Sequence, residues 1–181
     1  MSLEHLETER LVLRRIEAQD ASNLLEYHGN ADVVRYIPWP QRNLDLVIAA
    51  IDDYQALSQS LDRAGASLVL GWALKSTGQV IGQSNMSVVS ETNRTADLGW
   101  VLHPGFGGQG YAHEATEALL RASFAAFGLH RVVASIDTRN GPSARLAEKL
   151  GMRLEGELKA AVWTKGEWCD SWLYAILESE C

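Results

Sequence analysis

Cysteine is nearly absent from this chain, with only Cys169 and Cys181 among 181 residues. Two are too few for a disulfide framework, and neither has Cys or His neighbours at metal-ligand spacing, so no structural metal is expected. Long apolar runs are missing too. No stretch approaches the roughly 18 apolar residues of a membrane span, and the start, Met-Ser-Leu-Glu-His, lacks the basic-then-apolar layout of a secretory signal. These absences point to a cytoplasmic protein with no membrane partner. Basic residues are outnumbered, 16 Lys and Arg against 23 Asp and Glu, for a net charge of -7. That balance argues against a nucleic-acid partner and is compatible with a basic acceptor. Repeats, low-complexity tracts and linkers are absent as well. Residues 1–181 therefore read as a single domain, 46% hydrophobic and long enough to bury a substantial core.

What is present is periodicity. The stretch "RLVLRRI" alternates as an opening strand, and Asp20 is placed to cap a helix through His28 that Gly29-Asn30 closes. Asn43 caps a second helix, whose Leu44, Val47, Ile48, Ile51 and Tyr54 recur at helical spacing before Gly65 ends it. Between the two, Pro38 and Pro40 make "RYIPWP" a loop. From Ala66 the period changes to two, with strands over residues 66–74, 80–89 and 95–102. A helix follows over residues 110–127, with Ala112, Ala115, Leu119, Ala122 and Ala126 as its packing stripe. "RVVASID" is a buried strand, after which Pro142 and Gly151 bracket another helix. The chain closes with a hairpin, residues 153–164 and 167–177, turned at Lys165-Gly166. Trp72 and Trp172 read as core. The expected fold class is α/β (α+β), a single mixed, largely antiparallel sheet of about six to seven strands flanked by helices.

One stretch carries chemistry. "HPGFGGQGYAHEA" places Gly105, Gly107, Gly108 and Gly110 between a strand and a helix start. The first N-H groups of a helix have no intrahelical partner and sit at the positive end of its dipole, while glycines let the backbone approach a ligand closely. A phosphate group suits such a place. Gly105, Gly107 and Gly110 also spell the G-x-G-x-x-G of a dinucleotide turn, and Asp137 ends the next strand as that motif's acidic residue would. Against it, Pro104 separates strand from glycines and half the chain precedes the motif. The dinucleotide-binding enzyme stays as an alternative.

Four stretches in order, "LETERLVLRRI", "ADLGWVLHPGFGGQGYAHEA", "DTRNGPSARLAEKLGMRLEGELK" and "GEWCDSWLYAIL", resemble the GNAT superfamily of acetyl-CoA-dependent N-acetyltransferases. Within it they are similar to the ribosomal-protein N-terminal acetyltransferase (RimJ/RimL-like) branch. The resemblance implies the acyl-CoA N-acyltransferase fold, with acetyl-CoA as co-substrate and no metal. It implies that backbone N-H groups of Gly107, Gly108, Gln109, Gly110, Tyr111 and Ala112 hold the pyrophosphate, with Gly107 standing where a Gln or Arg is usual. Val101 and Leu102 would pair with the pantetheine arm as an added strand, and Asn140 and Ser143 would contact it further along.

For the chemistry, the same resemblance offers Asp97 as general base, at a position where similar proteins often have Glu. Glu155 is a second carboxylate candidate. Seven residues beyond it, where some relatives carry another carboxylate, this chain has Val162. A tyrosine proton donor usual in the superfamily is here Ala147, which leaves Ser143 to hydrogen-bond the departing thiolate and Tyr174 in reserve. His103, before a proline, reads as a turn residue. Tyr36, Trp39, Trp163 and Asp170 are the candidate acceptor-binding residues. The implied activity is direct acetyl transfer to a primary amine, foremost the α-amine of a protein or peptide N-terminus and otherwise a small amine. An α-amine, with a reference pKa near 7.7–8.0, is partly neutral at pH 7 and needs only a modest base. A homodimer is the oligomer considered. A sensor or interaction module that binds acetyl-CoA with little turnover is the remaining alternative.

Overall fold

The structure is a computed structural model that describes residues 3–57 and 60–181. Its centre is one eight-stranded sheet, in the order β1-β2-β3-β4-β5-β6-β8-β7. The strands are β1 His5–Glu7, β2 Leu11–Arg14, β3 Ser67–Leu74, β4 Val80–Ser90, β5 Thr95–Leu102, β6 Arg131–Asp137, β7 Arg153–Thr164 and β8 Glu167–Leu177. Every neighbouring pair is antiparallel except β5 with β6. The helices are α1 Ala21–His28, α2 Ala31–Val34, α3 Leu44–Ala56, α4 Tyr111–Phe127 and α5 Gly141–Lys149.

The period of two along β3 sorts its side chains onto two cores. Leu68, Leu70, Trp72 and Leu74 join one with Leu119, Leu120 and Phe124 of α4 and Ala144 and Ala147 of α5. Val69 and Ala73 join the other with Leu24 and Tyr27 of α1 and Val47 and Ile51 of α3. Trp72 is fully buried and its indole N-H donates to Ser84 Oγ (3.1 Å), while Trp172 packs at the edge of the first core.

Several boundaries differ from the periodic reading. The eighth strand is β1, whose three residues are too few and too exposed to show a pattern. Asn43 does cap α3, accepting from Leu46 N-H (3.0 Å), but the helix stops at Ala56 because Leu57 turns extended (ψ 143°). Ser58 and Gln59, which the longer expected helix would include, lie outside the described residues. Asp20 caps nothing. Its carboxylate instead accepts from both terminal nitrogens of Arg14 (2.7 and 2.8 Å) and from Glu17 N-H (2.8 Å). The buried face of α4 runs through Ala115, Thr116, Leu119, Leu120, Ser123 and Phe124, rotated from the small-residue stripe so that Ala122 and Ala126 are only half-buried. Gly151 follows α5 in the left-handed conformation (φ 81°), and Lys165-Gly166 (φ 50° and 86°) makes the β7–β8 turn.

Candidate active site

The only parallel junction in the described sheet is also where it opens. β5 and β6 pair over Thr95–Arg131, Ala96–Val132 and Asp97–Val133, and there the ladder ends. β5 continues against β4 to Leu102, and β6 continues against β8 to Asp137. Residues 98–102 therefore present a strand edge with no strand beside it. An extended ligand arm can pair with such an edge through its own amide groups. A cavity of about 270 Å³ fills the fork, with Leu98, Gly99 and Trp100 on one side and Ser135, Ile136 and Asp137 on the other.

The cavity gathers residues from distant parts of the chain. Tyr36, Trp39, Asp97, Asn140, Ser143 and Asp170 all line it. Asp97 sits at the base of the fork, where burial pushes its carboxyl up to about 6. Asn140 caps α5 by accepting from Ser143 N-H (3.3 Å), so the capping role falls to Asn140 and the Ser143 hydroxyl is spared it. Asp170 accepts from Ala160 N-H (2.8 Å) and Lys159 Nζ (3.0 Å), which hold its carboxyl below the usual range. It thereby anchors the irregular stretch of β7 where Ala160 has φ 48°.

Tyr36 and Trp39 come from the proline loop after α2. The Arg42 guanidinium lies over the Trp39 ring (4.8 Å) and that of Arg139 over Tyr36 (5.6 Å). Lys165, at the β7–β8 turn, donates to the Val34 carbonyl and ties the hairpin to the same loop.

Three sequence candidates are placed elsewhere. Glu155 is paired with Arg131 and Arg153, chiefly Arg131, and its carboxyl is held below the usual range, the opposite of what a base needs. The Tyr174 hydroxyl is directed away, donating to Glu148 Oε1 (3.3 Å), with the ring buried between β6 and β7. Trp163 is 59% exposed and packs edge-on against Trp168 rather than into the cavity. Val162 does line it, so a carboxylate at that position in a relative would face the same space.

Asn85, Trp100, Thr164, Cys169 and Ser171 line the cavity without having been singled out from the sequence. Asn85 had one visible signal. It pairs across the ladder with Gly99, and a Cβ on Gly99 would lie 2.7 Å from Asn85 Oδ1, so the strand glycine makes room for the amide.

Beyond the fork, β5 leads into the glycine-rich loop and α4. Gly108 and Gly110 adopt φ 74° and 85°, and no side chain caps the helix at Gly110. The first N-H groups of α4 are thus open to an anion, which fits a pyrophosphate. His103 accepts from Gly105 N-H (3.0 Å) and serves the turn. Asp137 is chelated by Arg139 through both oxygens (2.8 and 2.9 Å), which removes the free carboxylate a dinucleotide ribose would require.

One more cluster flanks the loop. Glu114, in the first turn of α4, accepts from Thr8 Oγ1 (2.6 Å), Arg10 N-H (2.7 Å) and Arg10 Nε (2.7 Å). Burial alone would raise its carboxyl, but these donors outweigh burial and hold it below the usual range.

Comparison with known proteins gives one picture. The acetyltransferase (GNAT) domain family matches residues 10–153. The N-acetyltransferase YnaD of Bacillus subtilis (strain 168) is 32% identical over 97% of this chain and 98% of its own. The [ribosomal protein uS5]-alanine N-acetyltransferase of Escherichia coli (strain K12) is 28% identical over 94% of this chain and 89% of its own. The crystal structure of a GNAT-family acetyltransferase from Bacillus anthracis superposes with a TM-score of 0.87 at 30% identity, covering 97% of this chain and 99% of that one.

Proposed function

Because the chain belongs to the GNAT acetyltransferase family and is an acetyl-CoA-dependent N-acetyltransferase, we propose that its acceptor is the α-amine of a protein or peptide N-terminus. We assign the proton chemistry to Asp97 and Ser143. The observation that carries this reading is the fork between β5 and β6, with a carboxyl of pKa about 6 at its base and a serine across the cavity.

Acetyl-CoA supplies an activated thioester. The amine nitrogen bonds to its carbonyl carbon, the carbon–sulfur bond breaks, and the nitrogen loses one proton while the thiolate gains one. Asp97, ionised at neutral pH yet more basic than an exposed aspartate, is suited to take the nitrogen's proton directly or through water. It is a modest base, matched to an α-amine near 7.7–8.0 better than to a lysine near 10.4. The Ser143 hydroxyl is suited to donate to sulfur as negative charge develops there.

The lining also bears on the acceptor. Asp97 shares the cavity with Tyr36, Trp39 and Trp100, while Asp137 and Asp170, which also line it, are already paired with Arg139 and Lys159. A free amino acid would bring its carboxylate against Asp97. A peptide N-terminus brings a neutral amide instead, and its ammonium form is drawn in by the ionised Asp97 carboxylate.

An acceptor panel tests this. A peptide with a free N-terminus is expected to give higher kcat/KM than free alanine, spermidine or the same peptide blocked at its α-amine but carrying lysine. Preference for spermidine or for the blocked peptide would overturn the N-terminal reading. Binding of acetyl-CoA with no amine turned over would favour a sensor. Ser143→Ala is expected to lower kcat by about tenfold, the worth of one charge-assisted hydrogen bond, with KM for acetyl-CoA within about twofold. Equal losses in both would make Ser143 a binding residue only.

A further inference from the structure

The loop before α4 has little with which to hold its own shape. Gly107, Gly108 and Gly110 carry no side chains, and the remaining one, Gln109, bonds back to the Gly105 carbonyl at 3.4 Å. An anion site made of backbone N-H groups works only if the peptide planes are held, since each freely turning plane loses entropy on binding.

We infer that Arg10, from the turn between β1 and β2, is the positioning residue that sets this loop for the pyrophosphate of acetyl-CoA, an inference that rests on the cofactor reading above. Its guanidinium works as a fork. Nη1 donates to the Gln109 carbonyl (2.9 Å), Nε donates to Glu114 Oε2 (2.7 Å), Nη2 lies 2.6 Å from the same oxygen, and the group stacks over the Tyr111 ring (4.2 Å). One side chain therefore ties the end of the loop to the first turn of α4.

The consequence follows from peptide geometry. In a planar trans peptide the carbonyl and the following N-H point in opposite directions, and the chain has no cis bond among the described residues. Drawing the Gln109 carbonyl to Arg10 therefore turns the Gly110 N-H away from Arg10. The φ of 85° at Gly110 then sets the next peptide plane, which carries the Tyr111 N-H, and the guanidinium lies so close that a Cβ on Gly110 would come 3.4 Å from Nη2.

Arg10 has a second effect, on charge. Glu114 would repel a pyrophosphate from the helix start, and the same guanidinium neutralises it. Thr8 Oγ1 and the Arg10 N-H hold the carboxylate from the other side, so the hairpin turn, not a flexible stem alone, fixes the fork. A lysine has one head and cannot reach both the carbonyl and the carboxylate in this way.

The test compares two acetyl donors on purified protein: acetyl-CoA, and acetyl-pantetheine, which has no pyrophosphate. Arg10→Ala is expected to raise the Kd and KM for acetyl-CoA by about tenfold, with kcat/KM for acetyl-pantetheine within about twofold of wild type. Arg10→Lys is expected to recover only part of the acetyl-CoA affinity, and its melting curve controls for folding. Equal loss with both donors would mean a merely structural arginine and overturn the inference. Full recovery by lysine would overturn the fork, leaving charge as the only effect. Wild-type protein that bound no acetyl-CoA would refute the cofactor reading itself. Tight binding by both wild type and Arg10→Ala would refute the inference alone.

Discussion

Asp97→Asn is expected to lower kcat/KM by about a hundredfold or more while raising the melting temperature at pH 8 by several degrees. The two effects share one cause. Burial raises the Asp97 carboxyl from an ordinary 3.8 to about 6, so folding favours its protonated form. The wild-type protein is thus free of the penalty below pH 4, loses stability as pH rises from about 4 to 6, and carries the full cost above that. The difference between 3.8 and about 6 corresponds to at most about 3 kcal/mol. Asparagine cannot ionise and escapes that cost, but it cannot take a proton from the amine. Wild-type kcat/KM should rise with pH through about 6 and again as the acceptor amine deprotonates, whereas the first rise should be missing in Asp97→Asn. Thermal melts and pH–rate profiles of both proteins check this. Full activity in Asp97→Asn would remove Asp97 as the base, and a lower melting temperature at pH 8 would contradict its desolvation.

Gly110→Val is expected to weaken acetyl-CoA binding by about a hundredfold with little change in melting temperature. The residue is exposed, so no core contact is lost, but its φ of 85° is a conformation that a β-branched residue scarcely adopts. Relieving that strain turns the peptide planes on either side, and with them the N-H groups meant for the anion. Gly107→Ala is the control. Its φ of -62° suits any residue and its new Cβ would meet only the Pro104 carbonyl at 3.3 Å, so affinity is expected within about threefold of wild type. Calorimetric titration with acetyl-CoA compares the three proteins. Unchanged affinity in Gly110→Val would mean that the loop is not the pyrophosphate site, and an equal loss in Gly107→Ala would mean that conformation is not what the glycines provide.

The cap at Asn43, the left-handed Gly151, the proline loop and the glycine-rich helix start could all be read along the chain, because each depends on neighbours within a few residues. The eighth strand and the early end of α3 could not. Three residues, two of them exposed, have no measurable period, and the helical spacing of Leu44 to Tyr54 persists in the chain whether or not Leu57 turns extended. Asp20 shows the same limit from the other side, since a residue suited to capping found a better partner in Arg14.

By itself, the sequence determined the succession of the seven longer strands and the four longer helices, the anion-ready helix start and the family resemblance, all of which rest on local spacing. Tertiary structure alone decided which candidate carboxylates are free. Glu155 and Asp97 are both acidic residues on strands, yet pairing with Arg131 silences one and burial at the fork raises the other. It also decided that Asn85 and Cys169 share a cavity with Tyr36, and that Arg10 reaches across the sheet to a loop 99 residues away. Charge, burial and bracing depend on distance in space, and separation along the chain does not encode that distance.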